Sequence, residues 1–141
     1  MMRPVQTLKR FHLTVDAVEQ DKLSSRLLKV HHQGKALDTM EALKTKSERF
    51  LSQVRYLEDE LTAIEQDDVR QAIVLRSLEP EKDAQRVNYY EVLLQQNGET
   101  QLERKSYHRE SGETESVDFT FTDRLLERLG KDLEDLCSTD I

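Results

Sequence analysis

The chain has no Trp, one Cys, two Pro and four Gly in 141 residues, and aromatics make up only 6% of it. Each scarcity excludes something. The single thiol, Cys137, cannot close an internal disulfide, so oxidation is no part of the expected fold. So few Pro and Gly leave little room for long structureless segments. No apolar run reaches the ~20 residues of a membrane span, and residues 1–7 lack the apolar core of a signal peptide. The cytoplasm is therefore the expected compartment. There is no Gly-rich phosphate loop and no nucleophile elbow.

Charge is abundant. Asp, Glu, Lys and Arg make up 35% of the chain, and the formal charge is −7. Residues 1–35 hold seven Lys/Arg against three Asp/Glu, whereas the remainder holds 14 against 25. An acidic body of this kind repels nucleic acid over most of its surface. The basic N-terminal third is read as neutralising the acidic remainder.

The strongest pattern runs over residues 36–64. Ala36, Met40, Leu43, Ser47, Phe50, Val54, Leu57, Leu61 and Ile64 recur at gaps of four and three. That is a heptad seam, and it predicts one helix over 35–67, about 50 Å long at ~1.5 Å per residue. Asp38 and Glu41 have capping-box spacing. Upstream, a helix over 16–32 competes with a strand in which Phe11, Leu13 and Val15 alternate with polar residues; the helix is favoured, with Gly34 as its stop.

Beyond residue 68 the pattern changes to strands. Four are expected: about 69–78, 87–96, 99–109, and a last one carrying Val117, Phe119 and Phe121. Asn97-Gly98 is the signature of a two-residue type I′ hairpin. That turn sets Leu93 opposite Leu102 and Glu91 opposite Arg104. A second tight turn at Ser111-Gly112 sets Arg104 opposite Phe119 and Ser106 opposite Val117. Leu125, Leu126, Leu129, Leu133 and Leu136 then form a stripe on a final helix over 123–137, weakened by Gly130.

The fold expected is thus α+β in one domain over 1–141: an N-terminal helical part to residue 67, as helical hairpin or coiled coil; a four-stranded antiparallel meander over 68–122; and a C-terminal helix. A helix of ~50 Å outreaches so small a sheet. Its seam therefore needs either the segment 16–32 folded back on it or a second copy of the chain, and a homodimer is favoured.

A search for chemistry returns little. His31 and His32 are adjacent and cannot readily share a metal, and no spacing resembles a zinc motif. Glu58-Asp59-Glu60 and Asp67-Asp68 lack the Gly and spacing of a calcium loop. Nothing beside Cys137 lowers its pKa. Tyr89, Tyr90 and Tyr107 with Arg104, Lys105 and Arg109 form an aromatic and basic cluster, but six Glu residues among and beyond them argue against nucleic acid. No catalytic residue, metal or cofactor is assigned. The expected function is a non-enzymatic assembly or adaptor protein, binding itself or a protein partner through Met40, Leu43, Phe50, Val54, Leu57 and Leu61. The alternative is a small-ligand-binding or catalytic domain using a face of the sheet around Tyr90 and Val92.

Overall fold

The computed structural model describes residues 5–138. Ten antiparallel strands form one sheet, and two helices pack on one of its faces. In chain order the elements are β1 (Gln6–Arg10), β2 (Leu13–Gln20), β3 (Ser24–Gln33), α1 (Met40–Gln53), β4 (Leu61–Asp67) and β5 (Ala72–Ser77), then β6 (Glu81–Lys82), β7 (Arg86–Gln95), β8 (Glu99–His108), β9 (Thr114–Val117), β10 (Phe119–Thr122) and α2 (Asp123–Ser138). Across the sheet the order is β1-β2-β3-β8-β7-β5-β4, with β6 beside β7. The strand formed by β9 and β10 changes partner at Asp118: β9 pairs with β8, and β10 with β3.

The long helix and the coiled coil do not exist. Residues 16–32 are two strands and the turn between them, because Leu13, Val15 and Ala17 face the core in strict alternation and Leu27, Val30 and His32 complete the same face on β3. Leu23, inside the expected helix, lies exposed in the β2–β3 turn. α1 is 14 residues, roughly 21 Å. Thr39, rather than Asp38, caps it by accepting a hydrogen bond from Ala42 N at 3.0 Å. The helix stops at Val54, and residues 61–67 pair with β5 instead. Strand pairing thus overrides local helical rhythm, helped by the β-branched Thr62 and Ile64.

The hairpin joining β7 and β8 also differs from expectation. Its connection is three residues, Gln96, Asn97 and Gly98. Gly98 has φ +96°, whereas Asn97 is not in the left-handed region. This is a type I turn closed by a left-handed glycine, not a type I′ turn. One extra residue flips β7: Val92 pairs with Leu102, Tyr90 with Arg104, and Glu91 with Glu103. Tyr90, Val92 and Leu94 point into the core, and Tyr89, Glu91 and Leu93 line the other face. The β8–β9 connection is two residues longer than drawn from the sequence, so Arg104 pairs with Val117. An even shift preserves the face, so Val117 stays on the side of Arg104.

Both helices lie on the face of Tyr90 and Val92. α1 covers β4, β5 and β7, α2 covers β3 and β10, and the two touch each other. Leu43 and Phe50 from α1, and Leu126, Leu129, Leu133 and Leu136 from α2, close the core. Phe119 packs edge-on against both Tyr90 and Phe121, with centroids 5.8 and 5.0 Å apart.

Candidate functional site

The six seam residues come together, but inside this chain. Leu43 and Phe50 lie on the core face of α1, Val54 and Leu57 in the segment after it, and Leu61 opens β4; all five are buried in one cluster, with Phe50 at 1% exposure and Met40 half-buried against it. Their apolar surface is therefore covered by β4, β5, β7 and α2.

Asp59, one of three consecutive acids, is the one turned inward. Its Oδ2 accepts a hydrogen bond from Ser77 Oγ at 2.7 Å and lies 3.7 Å from Arg104 Nη1. Ser77 Oγ in turn accepts from Tyr90 N at 2.8 Å, and the Arg104 guanidinium sits 4.6 Å from the centre of the Tyr90 ring. Arg104, expected beside Phe119 and opposite Glu91, has Tyr90 as its aromatic neighbour and Asp59 as its carboxylate. This group ties the segment after α1 to three strands. His31 and His32 point to opposite faces of β3: His31 is 3.9 Å from Glu99, while His32 is buried with Nε2 2.8 Å from Glu134 Oε2. Among the described residues no three His, Cys, Asp or Glu side chains are grouped to hold a metal. Cys137 falls on α2, and its side chain lies outside the described residues.

The face that no helix covers carries the remaining chemistry. Glu91 is held from two sides, by Arg76 Nε at 2.7 Å and Lys105 Nζ at 2.9 Å. Burial alone would raise its pKa, but hydrogen bonds from Lys105 and Arg76 outweigh burial and hold the carboxyl below its ordinary value. Lys105 moves the other way: burial opposes its charge, and the bond to Glu91 raises its pKa overall. Arg76 also lies 5.3 Å from the centre of the Tyr89 ring.

Beside this network is a cleft of about 480 Å³, lined by Ile64, Arg76, Pro80, Val87, Tyr89 and Tyr107. Ile64, Tyr89 and Tyr107 are brought together from β4, β7 and β8, and Ile64 stands out at the residue where the β4–β5 register shifts. Ile64 is 45% exposed, Leu78 beside the cleft 54%, and the Arg76 side chain 41%. The sequence pointed to Tyr89 and Tyr107, but not to Arg76 or Ile64. Arg76 enters only through the β5–β7 pairing, which sets it directly opposite Glu91.

Comparison with protein-family models, with curated proteins and with solved structures finds no match. No helix among the described residues is long and apolar enough to cross a membrane.

Proposed function

We propose that this chain is a non-enzymatic binding protein that takes a small, planar, anionic ligand on the uncovered face of its sheet. The observation that carries this reading is the cleft at Arg76, Tyr89 and Tyr107. Its volume, about 480 Å³, falls within the ~300–1,000 Å³ of ligand sites. Two phenol rings offer flat apolar walls, and Arg76 offers charge. Glu91 engages the Arg76 Nε and so fixes the guanidinium against the sheet. A planar anion would stack on the rings and meet that cation.

The probe is 8-anilinonaphthalene-1-sulfonate, an aromatic anion whose fluorescence rises on transfer out of water. Saturable binding of one equivalent to the folded protein is expected, weakened about tenfold or more by Arg76→Ala or Tyr89→Ala, the loss of about 1.4 kcal/mol. Saturation unchanged in both variants, with circular dichroism also unchanged, would remove the cleft from consideration. The seam residues from which partner binding was expected lie in the core, and the proposed binding uses the uncovered face of the sheet instead.

A further inference from the structure

We propose that the outward face of α2 is a docking groove for a short acidic, carboxylate-rich segment of a partner protein. A depression of about 500 Å³ lies there, lined by Thr122, Arg124, Leu125, Glu127, Arg128 and Lys131. Arg124, Arg128 and Lys131 are all exposed. They follow one another at steps of four and three, so they form one stripe about 10 Å long.

Three features set this stripe apart from a solvated helix face. The first is that none of the three cations makes an ion pair within the described residues, although the chain holds 28 acids against 21 bases. The second is that the arrangement works against the helix that bears it. Arg124 stands in the first turn of α2, where the dipole disfavours a cation, and Arg124 and Arg128 are like charges one turn apart. Of the acids beside them, Asp123 in the same turn is engaged by Arg10 at 3.1 Å.

The third is that Arg128 is mounted. Its guanidinium carbon lies 4.1 Å from the centre of the Tyr56 ring. Tyr56 is fixed in turn, because its hydroxyl donates a 2.7 Å hydrogen bond to Asp132 Oδ2. An aromatic platform leaves the edges of a guanidinium free, and those edges are the part that receives a carboxylate. Asp132, one turn along from Arg128, gives its Oδ2 to Tyr56, and no ion pair between it and Arg128 forms among the described residues.

The dimensions select the occupant. The stripe is short, the chain as a whole is acidic, and Glu127 lies within the lining. Long polyanions and anionic membranes need positive surfaces broader than three side chains. Two or three carboxylates on a peptide fit, and Leu125 supplies apolar contact between them.

A fluorescein-labelled peptide of alternating glutamate and leucine, with its glutamine counterpart as control, tests this by fluorescence anisotropy. Saturable binding of the glutamate peptide is expected, weaker as salt rises, and reduced at least tenfold in Arg124→Glu/Lys131→Glu. Lys22→Glu/Lys82→Glu makes the same change in net charge at exposed positions elsewhere and should bind normally. Tyr56→Ala should weaken binding, and Tyr56→Phe, which keeps the ring, should retain most of it. Equal losses in the two double variants would reduce the effect to net charge and overturn the proposal. So would equal affinity for the glutamine peptide, or tighter, stripe-dependent binding of heparin fragments or phosphatidylserine vesicles.

Discussion

The carbonyl oxygen of Phe11, in the β1–β2 turn, occupies the space that a Cβ on Gly130 of α2 would fill. From the sequence, Gly130 reads as a flaw in a leucine stripe. In the fold it is the point where a hairpin tip reaches the helix backbone. The neighbouring His12 Nδ1 lies 3.4 Å from Glu134 Oε1, one turn further along α2. Gly130→Ala should therefore destabilise the protein by about 1–3 kcal/mol through overpacking, against the ~1 kcal/mol gain that an open helical site would give. Urea denaturation decides the sign.

Gly98 and Asn97 separate the two possible hairpins. Gly98 has φ +96°, and a Cβ there would overlap the carbonyl of Gly34. Gly98→Val should cost about 2 kcal/mol or more, from left-handed strain and overlap together. Asn97→Ala should cost less than about 1 kcal/mol, because only the side-chain acceptor for Glu99 N is lost. Comparable losses at both positions would indicate a type I′ turn, which needs positive φ at each.

His32 predicts a pH dependence. Burial, the largest influence, lowers its pKa below the ordinary 6.5, against the pull of Glu134 on α2; Lys46 on α1 and His31 on the same strand push in the same direction as burial. The unfolded chain therefore takes up a proton before the folded one does. Stability should be full above about pH 6.5 and fall as pH drops through the depressed folded-state value. The midpoint of urea unfolding between pH 8 and pH 5 measures this, and His32→Asn should flatten the slope. An unchanged slope in that variant would assign the effect to other groups.

Glu91→Gln leaves Arg76 and Lys105 facing each other across a neutral amide. A loss of about 1–3 kcal/mol is expected at neutral pH, the cost of removing charged hydrogen bonds at a half-buried position. The folded-state pKa of Glu91 is depressed, so its contribution is present above the ordinary value near 4.5 and is lost as pH falls through the lower folded value. The difference between variant and parent should shrink accordingly in acid.

Phe50→Ala should cost about 3–5 kcal/mol, as a buried aromatic truncation does. Because Phe50 is sealed within one chain, the unfolding midpoint should not move when protein concentration is raised a hundredfold. A midpoint that climbs with concentration would place Phe50 at an interface between copies.

The residues of the core were legible; the structure that buries them was only partly so. Phe50, Val54, Leu57 and Leu61 were singled out by spacing, and all four are in the core. Leu57 lies in the connection after α1 and Leu61 opens β4; both are buried there, so the apolar rhythm persists where α1 has already ended. On β7 a single turn residue exchanged Tyr89 for Tyr90, and with it the uncovered face for the core. α2 was readable because its five leucines fit only the helical period and Thr122 caps it, accepting from Leu125 N at 3.1 Å. Arg76 and Asp59 had no local signature, since both take their roles from strands distant in the chain.

The change of partner at Asp118 has a consequence for how the chain is made. Phe119 and Phe121 lie against Leu27 and Ser25, more than 90 positions earlier. Until β10 has been synthesised, the stretch of the β3 edge that it occupies, Ser24 to Leu27, stands open. The sheet is completed by β10, the last strand in chain order among the described residues, a non-local step that belongs to slow folding. Nascent chains therefore carry an unpaired β-edge from the emergence of β3 to that of β10, the interval in which a holding chaperone would matter most.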